Sequence, residues 1–444
     1  MYTGTHAVVL GLGTSGESAA RLLCSEGVHV TVFDERPDAE RSSGLMELGV
    51  SVVAASAEQE IPADVDLCVI SPGVPLEHEW ANRARGRGLR PVPEFELGWS
   101  RFRGRVVAVK GSQGKSTAVK FMGGVLERAG FRAAPVGNYG VPVCRAVMER
   151  PELDWMVMEL SSFQLEAALS FRAEIGILLN LSPNHLDRHG SFEAYSRAKL
   201  RLFAHVGDGD ICMTPRAWRD RLRGVGGGRG VWRCFGSGAG DDYVWRAGGV
   251  FWGEEEVADL SGSYFDNRIT GANAAAVIGG LHAAGISVAE AGSVARAFAS
   301  LPNRMEFVVE SRGVRFVNDS KGTTLAAIAA ALEMTGRPTR LIAGGLLKET
   351  DLAGVKEMLA LHARGVYLVG KAAEKMATAW SSVVSCHRSG TLDRAMSDAW
   401  RDAQSGEVIL LSPGCASFDQ FRNYEERGEV FRRTARALAE ECVG

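Results

Sequence analysis

Short apolar runs alternate with stretches of helical periodicity along most of the chain. HAVVL (6–10), HVTVFD (29–34) and DLCVISPG (66–73) read as strands, and SGESAARLLCSEG (15–27) reads as a helix between the first two. RPVPE (90–94) reads as a connector, because its prolines bar regular helix or a central strand. A second run starts at RVVAVKG (105–111). It continues as a helix in FMGGVLERAG (121–130) and as strands in DWMVMEL (154–160) and AEIGILLNL (173–181). Glycine-rich turns and short apolar stretches fill 207–265, and TGANAAAVIGGLHAAG (270–285) is a helix whose small residues permit close packing. A third run follows LPNR (301–304), with strands VRFVND (314–319), TRLIAGG (339–345), GVYLVG (365–370) and EVILLSPG (407–414). Helical patterns such as LAAIAAALEM (325–334) separate them.

Strands alternating with helices mean parallel sheets with crossover helices, so the fold class is α/β. A chain of 444 residues is too long for one compact core, and three such units are expected, bounded near 94 and 301. Hydrophobic content of 46% and charged content of 23% fit a globular, soluble protein. A formal net charge of −3 gives no drive toward nucleic acid or an anionic membrane. No apolar run is long enough to span a bilayer, and the start has no charged segment of the kind a signal peptide carries, so a cytoplasmic location is expected. Eight cysteines lie scattered without a C-x-x-C pair, several in apolar segments (Cys24, Cys68, Cys212), which reads as reduced core thiols.

Chemistry concentrates at strand ends. Gly111, Ser112, Gln113, Gly114, Lys115, Ser116 and Thr117 form a turn between a strand and a helix, where backbone amides and the helix N-terminus suit an anion. Lys115 would reach the β- and γ-phosphates of a nucleotide, and Ser116 or Thr117 could touch Mg²⁺. The full phosphate-loop pattern wants another glycine where Val109 stands, so the match is to a shortened form. An ordinary strand–helix turn is the bland alternative. A second turn, Gly11, Gly13 and Gly16 with Asp34 ending the next strand, resembles a dinucleotide fingerprint. A cleft for another nucleotide, or glycines serving tight packing alone, fits the same residues. Glu159 ends a strand and suits Mg²⁺, while His185 follows the next strand end. A Glu–Arg pair and a loop-capping His are the plain readings of each. Lys199 reads as a surface lysine by composition. Asp319 and Lys321 could meet ribose and an anion, or Asp319 or a nearby Ser/Thr could cap the following helix. Cys415 has no evident His–Asp arrangement and is not read as a nucleophile.

The segments KGSQGKST, ELSSFQLE, LNLSPNHLDRHGSFEAYSRAKLRLF, LPNRMEFV, VNDSKGTT and LLSPGCASFDQF resemble the Mur ligase family. The resemblance covers essentially the whole chain, including GLGTSG, ISPGVP and EFEL at 94–97. It implies a Rossmann-like N-terminal domain (1–94) for a UDP-linked substrate and a central P-loop-type ATPase domain with a parallel sheet (95–301). A Rossmann-like C-terminal domain (302–444) would receive the amino acid. The implied reaction joins D-glutamate to UDP-N-acetylmuramoyl-L-alanine through an acyl phosphate, in cytoplasmic peptidoglycan precursor synthesis. A sister ligase using L-glutamate or another amino acid, and a nicotinamide-dependent dehydrogenase, stand as alternatives. The resemblance also implies a monomer, ATP, two Mg²⁺ ions and a carbamylated Lys199, with Lys115, His185 and Lys199 as catalytic residues. Thr14, Ser15, Asp34, Glu35, Arg36, Ser71, Pro72 and Gly73 would hold the UDP part, and Asn138 with His185 the reacting end. Ser116, Thr117 and Glu159 would bind one metal ion, and His185 and Lys199 the second. Asn273, Arg304 and Asp319 would contact adenine, phosphate and ribose. Lys321, Thr323, Lys348, Ser417 and Tyr424 would orient glutamate. The chain departs from the family pattern at Lys110, Gln113, Ile269-Thr270, Gly322 and Thr324.

Overall fold

The computed structural model describes residues 2–182, 186–223, 229–349 and 351–440. These fall into two compact units, 1–261 with 271–296, and 262–270 with 297–444. The first unit holds two sheets and the second holds one.

The first sheet contains β1 (His6–Leu10), β2 (His29–Asp34), β3 (Ser51–Ala54), β4 (Leu67–Ile70) and β5 (Val92–Pro93), in the order β3-β2-β1-β4-β5. All its pairs are parallel. β1 is buried along its whole length, because apolar clusters cover both faces of the sheet. RPVPE is more than a connector: it supplies the two-residue edge strand β5 and runs straight into the helix Glu94–Trp99. An edge position tolerates Pro93, since no partner there needs its missing N–H.

The second sheet has nine strands: β6 (Arg105–Lys110), β7 (Ala133–Gly137), β8 (Trp155–Glu159), β9 (Ile175–Leu178), β10 (Ile211–Thr214), β11 (Val231–Gly236), β12 (Tyr243–Arg246), β13 (Gly249–Trp252) and β14 (Glu255–Asp259). Their order is β14-β13-β12-β11-β10-β9-β6-β8-β7. β6 therefore lies between β9 and β8, and loops leaving these three C-terminal ends are neighbours. The segment 207–265 is richer in structure than its turns suggest. It carries five strands, of which β12, β13 and β14 pair antiparallel. Ala247 and Gly248, both with positive φ, turn β12 into β13, as a two-residue hairpin requires.

The third sheet has β15 (Glu306–Ser311), β16 (Val314–Asn318), β17 (Thr339–Gly344), β18 (Ala363–Val369), β19 (Cys386–Gly390) and β20 (Val408–Leu411), in the order β15-β16-β20-β17-β18-β19. Only β15 is antiparallel. Apolar clusters cover both faces here too. The seven described cysteines are all free thiols.

Candidate functional site

The glycine turn after β1 is built for close approach. Gly11 has φ +91°, and a Cβ on Gly16 would lie 1.9 Å from the Gly11 carbonyl oxygen. Only a glycine at 16 lets the helix Thr14–Ser25 sit against the turn. Ser71 is buried and donates to the Gly11 carbonyl at 2.9 Å. Asp34 accepts from the Leu12 amide at 2.7 Å and the Arg36 amide at 2.8 Å, tying the end of β2 to this turn. Thr14, Glu35, Arg36 and Gly73 are exposed around it, with Ser15 and Pro72 half-buried. Arg188 reaches the Pro72 carbonyl at 3.2 Å and covers the Phe163 ring.

The second turn leaves β6. Gly114 adopts φ +80° as the residue before the helix Lys115–Arg128, and a Cβ there would sit 2.6 Å from the Asn273 side-chain nitrogen. Asn180, two residues past β9, holds the turn: its Oδ1 accepts from the Ser112 and Gln113 amides at 2.9 Å each, and its Nδ2 donates to the Gln113 carbonyl at 3.0 Å. Ser112 joins two lysines. Lys115 donates to its carbonyl at 3.3 Å and Lys199 to its hydroxyl at 2.9 Å. That hydroxyl also lies 3.1 Å from Tyr195 OH.

Glu159, at the end of β8, is fully buried. It accepts from Ser116 Oγ at 2.6 Å and Asn138 Nδ2 at 2.7 Å. Gly137 has no room for a Cβ, which would meet the Glu159 carbonyl at 2.5 Å. Thr117 is buried on the first turn of the same helix. Lys110 is buried beneath the turn and donates to the Leu160 carbonyl at 2.8 Å. Burial, then the ammoniums of Lys115 and Lys199, push its pKa well below the usual lysine range, with Glu159 opposing. Burial, and then Lys115, lower the Lys199 pKa to about 6, so its amine is neutral at neutral pH. Lys110, Lys115 and Lys199 thus cluster near one carboxylate, with burial and mutual repulsion driving Lys110 and Lys199 toward their neutral amines and leaving Lys115 to meet an anion. A Ser hydroxyl beside a carboxylate is a hard oxygen set, the chemistry Mg²⁺ selects. His185 lies outside the described residues. His189 is described, with Nε2 3.0 Å from Ser162 Oγ and its ring stacked on Phe163.

In the second unit, β16, β20 and β17 are neighbours, so the loops leaving them meet. Leu346 pairs with Ala416 in an antiparallel bridge, which brings the loop of exposed Lys348 alongside that of buried Ser417. Lys321 donates to Tyr424 OH at 3.0 Å and lies over its ring. Thr323 is half-buried, and Arg304 follows the positive-φ Asn303. Asp319 is buried and accepts from Ser412 Oγ at 2.9 Å and the Met305 amide at 3.3 Å; burial raises its pKa to about 7. Thr324, not Asp319, caps the helix Leu325–Thr335, accepting from the Ala327 amide. Gly322 has a packing reason, since a Cβ there would lie 2.3 Å from Asp319 Oδ2.

Sequence reasoning missed Asn180 and Arg427. Asn180 follows a strand end in the same way as Glu159, a placement that could have flagged it. Arg427 is buried in the helix Tyr424–Glu440 and donates to Ser320 Oγ, the Ser320 carbonyl and the Cys415 carbonyl. It joins the Lys321 and Ser417 loops, and no motif announces it.

Family models match in chain order: "Mur ligase MurD-like, N-terminal domain" over residues 5–92, "Mur ligase middle domain" over 109–225 and "Mur ligase, glutamate ligase domain" over 303–415. The chain is 37% identical to the UDP-N-acetylmuramoylalanine--D-glutamate ligase of Acidobacterium capsulatum, covering 97% of this chain and 95% of that protein. It is 36% identical to the ligase of the same name from Nitratidesulfovibrio vulgaris, covering 98% and 97%. The fold is similar to the crystal structure of the MurF ligase of Thermotoga maritima in complex with ADP, with a TM-score of 0.63 at 16% identity over 97% of this chain and 98% of that one. With three family models matched in order along the chain and relatives this similar along nearly their whole length, the chain belongs to the Mur ligase family.

Proposed function

We propose that this chain is an ATP-dependent ligase that joins D-glutamate to UDP-N-acetylmuramoyl-L-alanine in peptidoglycan precursor synthesis, acting as a cytoplasmic monomer. The alanine carboxylate is inert to amines because oxide is a hopeless leaving group. It attacks the γ-phosphorus of ATP, ADP departs, and an acyl phosphate forms. The glutamate amine then adds to the acyl carbon, and phosphate leaves as the amide forms. Phosphoryl transfer between anions depends on position and positive charge, and this site offers both.

The observation that carries the reading is the group around the phosphate turn: half-buried Lys115 and buried Lys199 share Ser112, while buried Ser116 donates to buried Glu159. Lys115 meets the triphosphate. Ser116, Thr117 and Glu159 would hold one Mg²⁺, and His185 with modified Lys199 the second; such ions would supply positive charge against that developing on the transferred phosphoryl group. Asn138 fixes the Glu159 carboxylate. The neutral Lys199 amine adds to CO₂, forming an N–C bond and releasing a proton, so that a cation becomes an oxygen-bearing anion suited to a metal. Thr14, Ser15, Asp34, Glu35, Arg36, Ser71, Pro72 and Gly73 hold the UDP part. Asn273, Arg304 and Asp319 serve the nucleotide. Lys321, Thr323, Lys348, Ser417 and Tyr424 serve glutamate, the lysines by pairing with its carboxylates. On this reading the domains run over 1–94, 95–301 and 302–444.

A phosphate-release assay tests this. Release should require both the UDP-muramoyl substrate and D-glutamate, with L-glutamate far poorer. Removing CO₂ should lower it and bicarbonate should restore it. Lys115→Ala should cost about 10²–10³-fold or more, the scale for losing a preorganised charge on a transition state. Equal release with either substrate omitted would refute the ligase reading.

A further inference from the structure

The far end of the first sheet carries a second constellation that the ligase reaction does not use. His6 opens β1 and His29 opens β2, and the parallel register sets them directly side by side. Their rings lie 4.1 Å apart. Asp64, from the loop before β4, places Oδ2 2.9 Å from His6 Nδ1. One donor atom from each of the three residues falls within 4.8 Å of the others. From these observations we propose a binding site for one divalent transition-metal ion of the zinc class at His6, His29 and Asp64.

The donor set suits such an ion. Two imidazoles and a carboxylate are ligands zinc accepts, with bonds of about 2.0–2.2 Å, and water completes a four-coordinate shell. Magnesium and calcium prefer all-oxygen sets and are poor matches. The site is open to solvent, since His29 and Asp64 are exposed and only His6 is buried.

Its parts are held before any ion arrives. His6 Nε2 lies 3.0 Å from Thr31 Oγ1, itself buried. Without an ion a proton on Nδ1 bonds to the Asp64 carboxylate; an ion at Nδ1 would displace that proton, and Nε2–H would then donate to the Thr31 hydroxyl, the support a metal-bound imidazole usually has. The Asp64 loop is anchored as well. Asp66 accepts from the Thr5 amide and hydroxyl and the His6 amide, and its own amide donates to the His6 carbonyl at 3.0 Å. Two strand starts and one loop thus deliver one ligand each. A bound ion would fasten them together.

His6 begins β1 and the glycine turn follows its end, so the strand separates the ion from that turn by about 13–17 Å at roughly 3.3 Å per residue. The site is therefore independent of the ligase chemistry, and occupancy should leave turnover unchanged.

The test uses tag-free full-length protein with excess Mg²⁺ and ADP, dialysed against Zn²⁺ and analysed for bound metal. The wild type should take up one equivalent more than His29→Ala/Asp64→Ala, and Zn²⁺ should raise the melting temperature of the wild type alone. Retained ligase turnover in the double variant shows that it is folded. Thr31→Val should bind about 10–100-fold more weakly. Equal zinc uptake by wild type and double variant would overturn the proposal and leave His6 and Asp64 as a plain hydrogen-bonded pair.

Discussion

Glu94 shows how one side chain can tie stability to pH. It is buried, accepts from the Cys144 amide through Oε1 at 2.7 Å, and leaves Oε2 without a hydrogen-bond partner among the described residues. Burial raises its pKa from 4.5 to about 7. The folded protein thus holds a proton that the unfolded chain releases at lower pH. Stability from this group is complete below about pH 4.5 and is lost as pH rises through about 7. Glu94→Gln should flatten that part of the profile, seen as denaturation midpoints that change less between pH 5 and 7.5 than in the wild type. At Lys199 the sign is opposite: its lowered pKa means stability falls as pH drops from the lysine range toward about 6. Lys115 and Ser116 of the phosphate turn, Glu159 at the end of β8 and Lys199, which composition alone reads as a surface lysine but which is buried, lie together. Arg427 escaped because it works only through hydrogen bonds that the finished fold creates, whereas Asn180 carried a usable signal in its place just past a strand end.

At the scale of elements, parallel strands buried on both faces are legible because they read as unbroken apolar runs, as HAVVL and LCVI do. β12, β13, β14 and β15 are harder to see: each is partly exposed and interrupted by polar or glycine residues, so no continuous signal survives. Two departures from the family pattern also become intelligible. Thr324 is a helix cap, a task threonine and asparagine share, and Gly322 leaves room for the Asp319 carboxyl. The structure offers no account of the departure at Gln113. The contact between the first glycine turn and its helix is tight enough to be tested. Gly16→Ala should destabilise the protein by about 1–3 kcal/mol, because the added methyl meets backbone rather than a side chain that can move. Urea unfolding would measure it, and an unchanged midpoint would show that the turn yields.

Across the whole molecule, the first compact unit holds two sheets and the second holds one, each sheet packed against its own apolar clusters. Among the described residues no helix is long and apolar enough to cross a membrane. The chain's net charge is −3, so long-range attraction of nucleotide is weak. The phosphate turn is already fastened: Asn180 fixes two of its amides from a neighbouring strand end. A mould that is set before casting needs no time to harden. Nucleotide capture should therefore be limited by collision, with an observed rate in stopped-flow mixing that climbs in proportion to ATP concentration and reaches no plateau from slow loop ordering.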